Sequence, residues 1–563
     1  MRATRCARAL QGALLFSSLA ACGGADQAPL SAVLITLDTT NRDALGCYGQ
    51  ALPLTPHLDR IAAEGLVFEQ ARSVAPLTLP AHISMLTGLV PLRHSVRDNA
   101  LLPVAGSAET LAERLARAGY QTAAFLSAVV LAAPYGLDQG FDVYDAPQVR
   151  QNRGPTAHIL ERPAAESVRA AIDWLRGRDR ARPFFLWVHG YDPHGPYDPP
   201  AEFLARAGGD PYLGEVAALD HAVGELLAAL QAEHGLERLV LVVAADHGEG
   251  LGDHGERTHA VLCYERMMRI PLLVRLPDGA RAGERVTAPA SLVDVAPTVL
   301  DALGLAPLPG IDGLSLLDPA LAERGGTYFE SYHGFLNYGW SPLAGWFDGT
   351  TKFLHGTDPE LYDLTRDPAE SVNLHGQRDE AVAAARARIE ALAALPRLEA
   401  GASSVDEDLA ASVQALGYAG AAGADSDYPE PLEDTGLPAP RARIVELELF
   451  YRAVLRYNNG KVAEAIAELE ALVAQNPRNA EALNVLAAYL YEQKEYTRAL
   501  EVLRSIPAGA QDRTSVQDLL GHCQEHLGEP AKALEHFERA LALKPGDPHQ
   551  TKDVERLRAK VGN

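Results

Sequence analysis

Cysteine is scarce in this chain: five residues in 563, with Cys6 near the start and Cys22, Cys47, Cys263 and Cys523 scattered beyond it. No two form a C-x-x-C pair, which speaks against a zinc ribbon and leaves no disulfide framework to read. Positive charge is also short. Lys and Arg total 50 against 74 Asp and Glu, a formal net charge of −24. That balance argues against nucleic acid as a partner and offers no polybasic membrane anchor. Beyond the first 22 residues no run of 18 apolar residues appears, so no later segment reads as a membrane-spanning helix. The length leaves room for two to four soluble domains with ample core.

Residues 1–21 read as an export signal. Arg2, Arg5 and Arg8 form a basic start, residues 10–19 a short and largely apolar centre, and Leu19-Ala-Ala-Cys22 follows. That ending resembles a bacterial lipobox, which implies cleavage before Cys22, lipidation of Cys22 and an extracytoplasmic protein, periplasmic or outer-membrane anchored. The membrane contact would be the lipid alone. The alternative is a plain secretory signal with an incidental cysteine. Residues 22–30, with Gly23, Gly24 and Pro29, read as a tether.

Residues 31–320 alternate apolar strands with amphipathic helices. Runs at 31–37, 66–71, 121–126, 183–188 and 238–245 have strand length, and helices are expected over 53–65, 109–118, 164–176 and 215–231. This pattern predicts an α/β domain with a mostly parallel sheet and helices on both faces. Over 321–395 short strands and one helix near 380–395 suggest a small antiparallel subdomain. Gly, Ala, Ser and Pro clusters mark 396–444 as a linker. From 445 to 548 a period of 34 appears: Ala465, Ala499 and Ala533 are so spaced, as are Gly460, Lys494 and Gly528. The period resembles tetratricopeptide repeats, an all-α solenoid expected to dock a protein partner.

The stretch Val74-Ala-Pro-Leu-Thr-Leu-Pro-Ala-His-Ile-Ser-Met-Leu-Thr-Gly88 places Thr78 just ahead of an expected helix that starts near Pro80 and stops at Gly88. Free backbone N–H groups and the helix dipole there favour an anion, which makes the hydroxyl a candidate nucleophile toward a phosphate or sulfate ester. Strand ends deliver Asp38, the pair Asp246-His247 and the loop with Asp192 and His194. Two carboxylates, an imidazole and a hydroxyl suit one divalent metal beside the nucleophile.

In order along the chain, the blocks Val33–Gly49, Thr78–Gly88, Ala245-Asp-His-Gly-Glu-Gly-Leu-Gly-Asp-His-Gly255, Arg269-Ile-Pro-Leu-Leu273, Leu292–Thr298, Gly310-Ile-Asp-Gly313 and Leu361–Asp367 resemble the sulfatase family of the alkaline phosphatase superfamily. The resemblance covers about residues 31–376. It implies Asp38, Asp246 and His247 as metal ligands and Thr78 as nucleophile completing the shell. It further implies His194 as an oxyanion-binding histidine, His259 as general acid and Asn99 as an oxyanion-holding amide. Arg97 is a candidate substrate contact, though Arg97 and Asn99 also fit a solvated turn. His82 stands at the signature's arginine position, where it would orient Thr78 or cap helix backbone. His189 and His254 read as supporting groups.

Two departures shape the expected chemistry. Thr39 replaces the second Asp of the usual pair, so zinc or manganese becomes plausible beside calcium. Thr78 replaces the Cys or Ser that sulfatases convert to formylglycine, so that cofactor is not expected. A metal-activated threonine resembles the nucleotide pyrophosphatase branch and tilts the reading toward phosphoesters. The substrate would be a sulfated or phosphorylated small molecule or glycan. The alternatives are a phosphoryl or phosphoethanolamine transferase, and an inactive pseudo-sulfatase that scaffolds through its repeats.

Overall fold

The computed structural model describes residues 29–99, 102–147, 162–401, 428–511, 513–543 and 547–561. The export signal, Cys22, most of the tether and residues 402–427 of the expected linker lie outside them.

The main sheet contains eight strands: β1 (Ser31–Leu37), β2 (Leu66–Arg72), β3 (Gln121–Phe125), β4 (Val143–Asp145), β5 (Phe184–Gly190), β6 (Leu239–Ala245), β7 (Leu272–Arg275) and β8 (Arg285–Ser291). Their order is β4-β3-β5-β1-β6-β7-β2-β8. All neighbours are parallel except β7, which runs antiparallel to β6 and to β2. The three central strands β5, β1 and β6 are buried along their whole length. A parallel strand covered on both faces has no polar side to show, which is why these segments read as unbroken apolar runs.

Helices cover both faces. Pro56–Ala63, Ala164–Gly177 and Pro211–Glu233 pack together, and Thr78–Thr87, Leu111–Arg117 and Val295–Ala302 form the second layer. Thr78–Thr87 is buried at all ten positions. A helix apolar all round belongs inside a protein, and its stripe therefore gave no amphipathic signal. It ends at Gly88, whose φ of 71° is the left-handed conformation that closes helices. Thr78 is the first residue of this helix rather than a residue of the preceding turn, and Pro80 stands third.

Register, more than any local motif, builds the site. Leu37 lies level with Gly190 on one side and Ala245 on the other. The next residues of β1 and β6 are Asp38 and Asp246, so two carboxylates emerge side by side at the carboxyl edge of the sheet. Ligands in open α/β sheets bind at that edge.

A second, antiparallel sheet has β9 (Thr327–Ser331), β10 (Leu343–Phe347), β11 (Thr351–His355) and β12 (Glu360–Asp363) in the order β12-β11-β10-β9. β10 and β11 form a hairpin. Three helical pairs follow, from Val445–Asn458 to Pro530–Leu543, and a last helix, Pro548–Val561, covers the end of the array beyond the expected boundary at 548. The described part of the expected linker is not a free tether. Leu437 is buried, Tyr428 packs on Tyr332, and Arg441 bonds Glu360 and Tyr362.

Candidate active site

Asp38, Asp246 and His247 are wholly buried, and one ligand atom of each lies within 4.8 Å of the others. A second trio, His82, His189 and Asp246, meets the same limit. The Asp246 carboxylate has two distinct ends. Its Oδ1 accepts the backbone N–H groups of Thr39 (3.2 Å) and His247 (2.7 Å). Its Oδ2 has no hydrogen-bond donor, and it lies 3.4 Å from His247 Nε2 and 3.8 Å from His82 Nδ1. Asp38 Oδ2 lies 3.3 Å from His189 Nε2. Two buried carboxylates beside imidazoles make a donor set that fits a divalent metal.

Thr39, which replaces the second Asp of the usual pair, has a φ of +44°. That conformation is uncommon for a β-branched residue. It is held by the bond to Asp246 and by Tyr212, whose hydroxyl donates to the Thr39 carbonyl at 2.9 Å and accepts from Asn41 N–H at 2.7 Å.

The Thr78 hydroxyl lies 3.4 Å from His247 Nε2. Asn99, buried rather than solvated, accepts the Leu79 N–H at 2.8 Å and so caps the helix that begins at Thr78, while its Nδ2 is buried without an acceptor. His82 Nδ1 donates to the Thr78 backbone carbonyl at 2.7 Å, so it fixes the residue through its main chain and not its hydroxyl. Burial pushes the pKa values of His82, His189 and His259 below the usual imidazole range.

The cleft histidines follow. His259 packs against His247, ring centres 4.5 Å apart, and its Nδ1 lies 3.3 Å from Glu249 Oε1. Burial pushes the Glu249 carboxyl up to about 7. His194 stacks on Tyr191 and meets His259 edge to face, with Nδ1 on the Gly195 carbonyl at 2.7 Å. Burial lowers His194 to about 3. The Glu256 carboxylate accepts Val261 and Leu262 N–H groups and thereby shapes the loop that carries His259.

Two expectations, for Arg97 and His189, meet a different outcome. Arg97 is not an open cation for substrate: Glu330 takes its guanidinium in two bonds of 2.6 Å, and Tyr332 lies 3.5 Å beneath it. Asp192 caps the helix Ala164–Gly177 through Ala164 N–H. His254 stacks on Tyr264 and pairs with Asp253. His189, read as a supporting group, instead joins the cluster around Asp246. Its signal was its place near the end of β5, level with Thr36 of β1. Glu249 was visible as the acidic residue of the DHGE block, but its partner His259 was not deducible from spacing.

Residues 31–305 match the Sulfatase family model, and residues 252–394 match the N-sulphoglucosamine sulphohydrolase C-terminal model. Tetratricopeptide repeat models match residues 457–523 and 515–547. Residues 31–305 therefore form a sulfatase-family domain. An N-acetylglucosamine-6-O-sulfatase of Bacteroides thetaiotaomicron is 25% identical over 471 residues, 62% of this chain and 83% of that protein. Human arylsulfatase A is 28% identical over 440 residues, 63% of this chain and 85% of that one. Among solved structures, the phosphonate monoester hydrolase of Agrobacterium radiobacter has 22% identity and a TM-score of 0.52, covering 64% of this chain and 94% of that one, a likeness of fold. The chain is therefore an ester hydrolase with a repeat domain attached.

Proposed function

We propose that the protein hydrolyses an anionic ester of a small molecule or saccharide, with a tilt toward phosphoesters, and that Thr78 is its nucleophile. The observation that carries the reading is the Thr78 hydroxyl at the first position of a buried helix, 3.4 Å from His247 and beside the Asp38–Asp246 pair. Asp38, Asp246, His247 and Thr78 would hold one divalent metal. One imidazole in that shell makes zinc or manganese plausible beside calcium, which prefers an all-oxygen shell. When bound, such an ion supplies Lewis-acid chemistry, lowering the hydroxyl pKa and neutralising a substrate oxygen.

The chain's own groups account for the rest. Asn99 and the bond from His82 fix the helix start, so the Thr78 oxygen is held where the ester enters. Asn99 Nδ2 is the donor left for a non-bridging oxygen. His194 would hold a second such oxygen, since a bound anion favours its protonated form. The Thr78 hydroxyl gives its proton to solvent as its oxygen attacks phosphorus, the ester P–O bond breaks, and the leaving oxygen takes a proton from His259 in the imidazolium form that the bound anion favours. Water then attacks the phosphothreonine, the now neutral His259 takes that water's proton, and the leaving Thr78 oxygen takes a proton from solvent. A threonine sulfate lacks the elimination route open to formylglycine, which is why phosphorus is favoured. We also propose lipidation at Cys22, with the enzyme outside the cytoplasm.

The test is turnover of an aryl phosphate monoester, an aryl phosphate diester and an aryl sulfate by the purified protein with calcium, manganese or zinc, beside Thr78→Ala. Phosphoester turnover lost in the variant supports the reading. Sulfate-ester turnover lost in the variant overturns its phosphoester tilt. Turnover unchanged in the variant removes Thr78 as nucleophile.

A further inference from the structure

Away from the cluster around Thr78, the repeat domain holds a buried cation with unused hydrogen-bonding capacity. Arg513 precedes the helix Thr514–His526 and is 9% exposed. Its Nε and Nη2 are buried with no acceptor. Its counter-ion is Glu481, 3.6 Å from Nη1, and Glu481 Oε2 has no donor either. Arg178, equally buried, leaves only its Nε unfilled, and two other buried arginines are saturated. Arg72 makes two bonds to Glu265, of 2.9 and 2.6 Å, and Arg97 makes two to Glu330. A guanidinium carries five N–H donors, and leaving buried ones unfilled is costly. The two saturated arginines need nothing more, whereas Arg513 is built to receive an acceptor.

Its position gives that acceptor a source. Glu481 lies on the helix Ala480–Glu492, which packs on the helix His333–Tyr338 of the catalytic part. His333 Nδ1 lies 3.1 Å from Asp98 Oδ1, which also accepts the Asn99 N–H at 2.7 Å. Asn99 in turn holds Leu79 N–H, next to Thr78. The negative charge of Asp98 acts on Arg513 as well. Glu481, the helix His333–Tyr338, Asp98 and Asn99 therefore connect Arg513 to the start of the helix that carries Thr78. The chain carries a net charge of −24, and Arg97 is already taken by Glu330.

We propose that Arg513 is a substrate-binding residue that holds a second oxyanion of the substrate, a sulfate, phosphate or carboxylate other than the group cleaved. The repeats then form part of the substrate site. This rests on the reading of the protein as an enzyme for anionic esters, and it predicts substrates with at least two negative groups.

The test uses the full protein, Arg513→Lys, and Glu481→Gln combined with Arg513→Gln, which removes both charges so that no buried carboxylate is stranded. Inorganic sulfate is titrated calorimetrically into each. The wild type should bind two ions, the double variant one, and Arg513→Lys two with the second weakened. On a singly charged 4-nitrophenyl ester the double variant should match the wild type within about twofold. On a sugar carrying two sulfate groups its KM should rise on the order of tenfold to a hundredfold with kcat kept. Equal sulfate stoichiometry in wild type and double variant, or an equal KM on the doubly charged sugar, overturns the proposal. A Thr78→Ala protein with unchanged turnover would overturn only the nucleophile, since the sulfate count is independent of it.

Discussion

Asn41 and Glu249 are 208 positions apart and exchange two hydrogen bonds: Asn41 Nδ2 donates to the Glu249 carbonyl at 2.9 Å, and the Glu249 N–H donates to Asn41 Oδ1 at 2.8 Å. The pair ties the loop after β1 to the loop after β6, three residues beyond each carboxylate. It therefore sets the separation of Asp38 and Asp246 without contacting either. Asn41→Ala should weaken metal binding about 10- to 100-fold, as loss of an outer support of ligands does. Competition with a chromophoric chelator measures this directly. Affinity unchanged in the variant would show that sheet register alone holds the carboxylates.

The Arg97–Glu330 pair is a structural element by its geometry, 3% and 2% exposed with two parallel bonds. Breaking one partner strands a buried charge, so Arg97→Met should cost about 3–5 kcal/mol. Replacing both, Arg97→Met with Glu330→Met, should restore most of that. Chemical denaturation gives the four stabilities of the cycle. A substrate-binding Arg97 would behave otherwise, with KM raised in the single and double variants alike while stability barely moved.

The α/β order, the parallel sheet, the antiparallel subdomain and the repeat array were legible because each leaves a periodic trace: apolar runs for β1, β5 and β6, and a 34-residue spacing for the repeats. Asp38, Thr78, Asp246 and His247 were legible because they sit at strand and helix ends flanked by motif residues. What was hidden depends on distance in sequence. Nothing near Arg97 announces Glu330, 233 positions away. Nothing near His259 announces Glu249 as its ring partner. The helix Thr78–Thr87 carries no polar face, so its first residue could be placed only to within a turn. Residues 428–444 have linker composition, yet contacts with Glu360, Tyr362 and Tyr332 hold them against the fold.

Glu215 gives a pH dependence with a definite sign. Its carboxylate accepts the Asp198 N–H at 2.7 Å, and burial, then the charges of Asp192 and Asp198, push its pKa from 4.5 up to about 7. Between those values the folded state holds more protons than the unfolded state, so stability falls as pH rises. The contribution is complete below about pH 4.5 and gone above about pH 7. Glu215→Gln removes it. The variant should match the wild type at pH 4.5 and exceed it at pH 8 by on the order of 1 kcal/mol. Melting temperatures at the two pH values test this, and a gap that stays constant would contradict it.

The first repeat helix covers the loop that carries His259, the proposed general acid. Ile444 and Leu447 share an apolar cluster with Val261 and Leu262, the residues just after His259, and Glu448 lies 3.2 Å from Arg257. Leu447 is 7% exposed, so a charge there would separate the repeat from that loop. Leu447→Asp should therefore lower kcat by about tenfold or more through a misplaced His259. The control is Leu557→Asp, which puts the same charge into the buried contact between the last two helices, far along the array. It should destabilise the end of the solenoid and leave kcat within about twofold. Equal losses in both variants would mean that any damage to the repeats inactivates the enzyme. No loss in either would mean that the loop carrying His259 holds its shape on the Glu256 bonds alone.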